Sequence, residues 1–247
     1  MNEDIKKRLQ EHINTRTSEV LNNKSKSKDT KTILKNKLKS REKIYDRCIS
    51  EGDVCVEVGV RLGENAAAIY LRNPKKLYLV DKWSLTHHSR NRKFIKVVKA
   101  LFEEIKNVII MEVWSKEAAL KFEKRSIDFI YIDAGHTYKD VKKDINNWFP
   151  KVKVGGFIAG DDYVNKKYPE RGVKWERLQY GVVEAVDELI ATGKVEILYF
   201  DENKTFPLPG SGQFALKKIE HFEGKVLGDA NTKKKKKKRS KHLTGIT

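Results

Sequence analysis

DVCVEVGVRLGENAAAIYL, residues 53–71, decides how this 247-residue chain folds. Asp53–Val58 (DVCVEV) is a short apolar run that ends in Gly59, the pattern of a buried strand. Gly63–Leu71 (GENAAAIYL) reads as a helix, closed by the Asn73-Pro74 break. Between them, Gly59 and Gly63 stand four apart, where glycines let the backbone approach a ligand and point amides toward it. Glycine spacing alone also fits a generic strand–helix turn. A dinucleotide fingerprint needs glycine at position 61, which is Arg61, so NAD binding is disfavoured.

Downstream the alternation repeats. Lys76–Asp81, Asn107–Val113, Ile127–Asp133, Phe157–Gly160, Lys194–Phe200 and Gln213–Lys218 read as further strands, with Gly155-Gly156 turning the chain into the fifth. Helices are expected over Arg92–Ile105, Ser115–Phe122, Thr137–Trp148 and Gly181–Ala191. Strands separated by helix-length segments predict an α/β fold, a Rossmann-like and mostly parallel sheet with helices on both faces. Ligands of such sheets bind beyond the carboxyl ends of the strands.

Upstream, Ile5, Leu9 and Ile13 form one stripe of a short helix, and Asn22–Lys31 is polar enough for a linker. Leu34, Leu38, Tyr45 and Ile49 then follow at helical spacing, with Gly52 as the stop. The expected division is a basic helical extension over residues 1–40, a domain over 41–222 and a disordered lysine-rich tail over 223–247.

The formal net charge of +18 is concentrated at the ends, with +6 in residues 1–40 and +7 in 223–247, leaving +5 for 41–222. Lys233–His242 (KKKKKKRSKH) repels itself and reads as a solvated tail; a nuclear address or a tether to nucleic acid or an anionic surface are the sharper readings. No apolar run is long enough to span a bilayer, and Met1–Gln10 is charged rather than signal-like. Cys48 and Cys55 read as free thiols of a reducing compartment, which points to a cytoplasmic location.

The unusual residues follow the strands. Asp81 ends the second strand, 22 residues after Gly59, where a carboxylate accepts hydrogen bonds from ribose hydroxyls. Asp133 ends the fourth, and Asp161-Asp162 follow the fifth. Three carboxylates gathered at adjacent strand ends repel one another unless a cation lies between them, and all-oxygen ligands suit Mg²⁺, or Mn²⁺ or Ca²⁺.

With Glu57–Gly63 (EVGVRLG), Asp128–Tyr138 (DFIYIDAGHTY), Val154–Tyr163 (VGGFIAGDDY) and Gly181–Leu189 (GVVEAVDEL) in this order, residues 50–220 resemble the class I S-adenosylmethionine-dependent methyltransferases. The resemblance is to their metal-dependent O-methyltransferase branch, which includes catechol and sugar O-methyltransferases. It implies a seven-stranded sheet whose last strand is antiparallel. It implies S-adenosylmethionine over Gly59 and Gly63, with Glu57, Arg61 and Asn65 near its methionine part and Asp81 on the ribose. Trp83, Trp114 and Ser115 would lie near the adenine, and Asp133 would border the cofactor. Asp133, Asp161 and Asp162 match the metal ligands, and His136 matches the general base. Val113-Trp114 replaces a common Gly-Asp, which removes the usual adenine acceptor, and Val154 replaces a common proline.

The implied reaction is methyl transfer to a hydroxyl, with a sugar or glycan preferred because Tyr163, Tyr168 and Trp175 offer aromatic faces. Residues 164–180 read as a cover over the acceptor, and His87 and His88 are weaker acceptor-site candidates. A nucleic-acid methyltransferase is one rival reading, although Asp133-Ala134-Gly135-His136 stands where base-amine enzymes carry Asn/Asp-Pro-Pro-aromatic. A non-catalytic binding protein on the same fold is the other.

Overall fold

The structure, a computed structural model, describes residues 1–22, 28–83, 89–163, 181–198 and 212–219, with the backbone alone at 20, 28–37 and 89–91. Two long helices come first, α1 (Glu3–Leu21) and α2 (Lys28–Cys48). Alternation follows: β1 (Val54–Val58), α3 (Glu64–Tyr70), β2 (Lys76–Asp81), α4 (Ser89–Phe102), β3 (Val108–Glu112) and α5 (Ser115–Ala119). The second half holds β4 (Ile127–Ile132), α6 (Tyr138–Trp148), β5 (Val152–Gly160), α7 (Val182–Ala191), β6 (Val195–Ile197) and β7 (Phe214–Lys218). The strands make one sheet in the order β3-β2-β1-β4-β5-β7-β6. Among the described strands, only β7 runs against its neighbours, pairing antiparallel with both β5 and β6. The seven-stranded, mostly parallel architecture expected from the sequence is what the chain adopts.

Side chains alternate across each central strand and so feed two cores. Cys55, Leu77, Leu79, Phe129 and Tyr131 pack on the side of α1 to α4, while Val56, Val58, Val80, Ile130 and Ile132 pack on the side of α5, α6 and α7. The amino-terminal extension belongs to the first core. Its Ile5–Leu9–Ile13 stripe lies on that core with Leu9 fully buried, and α2 adds Ile44 and Tyr45, both fully buried. Asn2 caps α1, its side-chain oxygen accepting from the Asp4 amide at 2.8 Å.

Several boundaries differ from expectation by a few residues, and two differ in kind. Gly155-Gly156 is not a turn before β5 but part of it: the strand begins at Val152, and its register to β4 shifts between Ile127 and Phe129. Gly155 takes φ +82°, which absorbs the irregularity without ending the strand. Asn22 ends α1, and α2 already begins at Lys28 within the stretch read as a linker. The Lys-rich tail, residues 164–180 read as a cover, with Tyr168 and Trp175 among them, and His87 and His88 lie outside the described residues.

The order of strands fixes where a ligand can sit. The chain leaves β1 toward β2 on one side and reaches β4 on the other, so the helices that follow β1 and β4 diverge and open a crevice at the carboxyl ends.

Candidate active site

A cavity of about 1260 Å³ occupies that crevice. Among the residues singled out in the sequence, Glu57, Gly59, Arg61, Asn65, Asp81, Trp83, Trp114, Ser115, Asp133, His136, Asp161 and Asp162 all line it. Gly63 does not face it. Its Cα looks toward Val98, Leu101 and Phe102, and its left-handed φ of +85° starts α3.

The glycine turn is built by contact with β4. Gly59 has φ +92°, and a Cβ there would stand 2.0 Å from the Asp133 carbonyl oxygen, so no other residue fits. Asp81 ties the turn down: its Oδ2 accepts from the amides of Val60 and Arg61, both at 2.9 Å, and its Oδ1 accepts from the Trp83 amide at 3.0 Å. Trp83 is almost fully buried and donates its indole N–H to the Arg61 carbonyl at 3.0 Å, bracing the turn from below.

Alternation along β1 sends Glu57 to the same face as Cys55, among the residues of the first core. Asn65 Nδ2 donates to Glu57 Oε1 at 2.9 Å, and Tyr45 hydrogen-bonds Asn65 in turn. Glu57 Oε2 is buried without a hydrogen-bond partner. Burial pushes the Glu57 carboxyl well above its ordinary pKa, against the opposing effect of Asn65. An orphaned carboxylate oxygen in a cavity wall fits an ammonium group, such as that of a bound amino acid.

At the β3 side, Trp114 is 48% exposed, with Lys82 Nζ 4.8 Å from its ring centroid. Ser115 Oγ donates to Asp144 Oδ1 at 2.5 Å and accepts from Trp148 Nε1 at 2.8 Å. Asp144, on α6, is buried and lines the cavity, and burial raises its pKa.

The acidic cluster sits at the ends of β4 and β5. Asp133, His136 and Asp162 each offer a ligand atom, all within 4.8 Å of one another, a donor set that fits a divalent cation. His136 Nδ1 lies 3.2 Å from Asp162 Oδ2. Asp161 is held differently. Its Oδ1 accepts from Gln213 Nε2 at 2.6 Å and from the Asp162 amide at 2.7 Å, and its Oδ2 meets Arg41 Nη2 at 2.7 Å. The same Arg41 nitrogen lies 3.5 Å from Asp133 Oδ2, and Arg41 Nε donates to the Tyr131 hydroxyl at 3.2 Å. Burial works against the Arg41 charge, yet Tyr131, Asp161, Tyr45 and Asp133 outweigh it and hold the guanidinium pKa above its ordinary value.

Arg41 and Asp144 were missed in the sequence, and one signal marks both. Leu38, Arg41, Tyr45 and Cys48 share a stripe of α2, as Val141, Asp144, Ile145 and Trp148 share a stripe of α6. A charged residue on an apolar stripe has to find a partner inside. Tyr163, by contrast, is 6% exposed, packs near Phe214 with ring centroids 6.2 Å apart and hydrogen-bonds Asp187. It is a core residue and offers no open face to a sugar.

Residues 56–163 match the model of a family described as a methyltransferase domain. The strand order and the glycine crevice agree with that match. Over these residues the chain resembles a methyltransferase domain, carried on a seven-stranded, Rossmann-like sheet. No curated protein matches its sequence. The methyltransferase fold is shared with a protein of Corynebacterium glutamicum, at 12% identity and a TM-score of 0.55, covering 85% of this chain and 98% of that one. An O-methyltransferase of Bacillus cereus solved with S-adenosylhomocysteine is similar at 14% identity and a TM-score of 0.55, covering 87% and 91%. A Clostridium thermocellum protein provisionally called an rRNA methylase follows at 14% and 0.52, covering 75% and 97%. Identities this low speak for the fold alone. Among the described residues, no helix is long and apolar enough to cross a membrane.

Proposed function

We propose that this methyltransferase domain methylates a hydroxyl group, of a sugar or glycan, with the help of a divalent cation. The observation that carries the reading is the His136–Asp162 pair, 3.2 Å apart at the edge of the cavity that contains the glycine turn. S-adenosylmethionine supplies an electrophilic sulfonium methyl group. Glu57 would bind its ammonium through the orphaned Oε2, and the amides of the Gly59 turn would border its methionine part.

The remaining task for the protein is to make the acceptor oxygen nucleophilic and aim it. Asp162 orients His136 by accepting from Nδ1–H, which leaves Nε2 as the basic nitrogen for the acceptor proton. Asp133 and Asp162 would hold the cation, Mg²⁺ or Mn²⁺, and such an ion polarises a hydroxyl and lowers its pKa. Asp140, Asn146 and Asn147 also line the cavity and suit an acceptor rich in hydroxyls.

Incubating the full chain with S-adenosylmethionine and a panel of glycosides, catechols and RNA, with and without chelator, tests the proposal. Chelator-sensitive methylation of a glycoside hydroxyl is expected, and His136→Ala should lower kcat by roughly 10²-fold. Methylation confined to nucleobase nitrogens would replace the reading with the nucleic-acid one, and turnover unchanged by chelator would remove the cation from it.

A further inference from the structure

We infer that Arg41 is a resident cation of the acidic cluster: it keeps Asp161 out of the divalent-ion site, which is left to Asp133 and Asp162. The inference rests on the metal-assisted reading above. Arg41 stands on α2, upstream of the matched residues 56–163, so a helix outside the matched segment contributes directly to the cluster. Its helix is anchored in the core. Tyr45, one helical turn later, is fully buried with its ring edge-on to Phe129 and Tyr131, at centroid distances of 6.0 and 5.9 Å. The guanidinium also lies over the Tyr131 ring, 5.7 Å from its centroid.

Both oxygens of Asp161 are engaged, one by Arg41 and the other by Gln213 and the Asp162 amide. Its side chain is 2% exposed and that of Arg41 14%. Coordination through Asp161 would break this buried pair and take from the guanidinium its nearest carboxylate. A hard divalent cation does not require the third carboxylate, because one or two carboxylates, water and an acceptor oxygen complete its shell. The third negative charge is instead neutralised permanently, and a fixed positive charge remains close to the ion. The ion is therefore held more weakly than three free aspartates would hold it.

Mn²⁺ titration of the full chain, followed by the paramagnetic resonance signal of the free ion, tests this. Calorimetric binding of S-adenosylhomocysteine checks that each variant is folded. Asp162→Asn, which removes a ligand, should weaken Mn²⁺ binding by about a hundredfold or more, whereas Asp161→Asn, which only leaves Arg41 without its nearest countercharge, should weaken it by about tenfold or less. Arg41→Gln should tighten it by about tenfold or more, since a like charge is removed next to the ion, and Arg41→Lys should restore the wild-type affinity. An Asp161→Asn loss as large as that of Asp162→Asn overturns the inference, as does an Arg41→Gln variant that binds Mn²⁺ no more tightly than the wild type. If Arg41→Gln does not fold, the two aspartate variants decide. No Mn²⁺ binding by any of the proteins, with S-adenosylhomocysteine still bound, overturns both this inference and the metal-assisted reading.

Discussion

Glu57 shows how one side chain trades stability for binding. Its raised pKa means that the folded state prefers the neutral acid, so its favourable contribution is present below the ordinary carboxylate pKa and is lost as pH rises through the raised one. Glu57→Gln removes the titration while keeping an oxygen to accept from Asn65. Its Tm should exceed that of the wild type near neutral pH, and the gap should close toward about pH 4, where the acid is neutral in both states. The same variant should bind S-adenosylhomocysteine more weakly by calorimetry. Asp144 is argued similarly. Ser115 engages its Oδ1, and the carboxylate borders the cavity that Trp114 also lines. Asp144→Ala should weaken S-adenosylhomocysteine binding roughly tenfold, with adenosine alone showing the same loss.

At the scale of elements, the amino-terminal helices pack as part of the fold. Leu9 is fully buried among residues that include Ala66 and Ile69 of α3, so Leu9→Ala should cost about 2–5 kcal/mol in urea unfolding. A change under about 0.5 kcal/mol would mean that α1 is detached in solution. The elements were legible in the sequence because strand runs such as Asp53–Val58 and Ile127–Asp133 are bounded by glycine and charge, and because the carboxylates stand at their ends. What was not legible is packing between distant segments. Nothing in the order of residues 1–40 tells that their apolar stripe covers α3, nor that Arg41 meets residues 92 and 120 positions away. Gly155-Gly156 misled for a local reason: the pair is usually a turn, yet one glycine at φ +82° fits a bulge inside a long strand.

At the scale of the molecule, the formal charge of +18 is a property separate from the site, concentrated in the terminal segments. We propose that the Lys-rich segment tethers the enzyme to polyanions. RNA binding by the full chain should weaken steeply with salt, and removal of residues 229–247 should flatten that dependence. Equal slopes for the two proteins would show that the tail takes no part.

Arg41 leaves the ribosome long before the carboxylates it grips, since Asp133 follows 92 residues later and Asp161 120. A nascent chain that stops short of β5 therefore lacks Asp161, the carboxylate that lies nearest to Arg41. The buried pair closes only once translation has passed β5, so a shorter product of this chain leaves the acidic cluster incomplete.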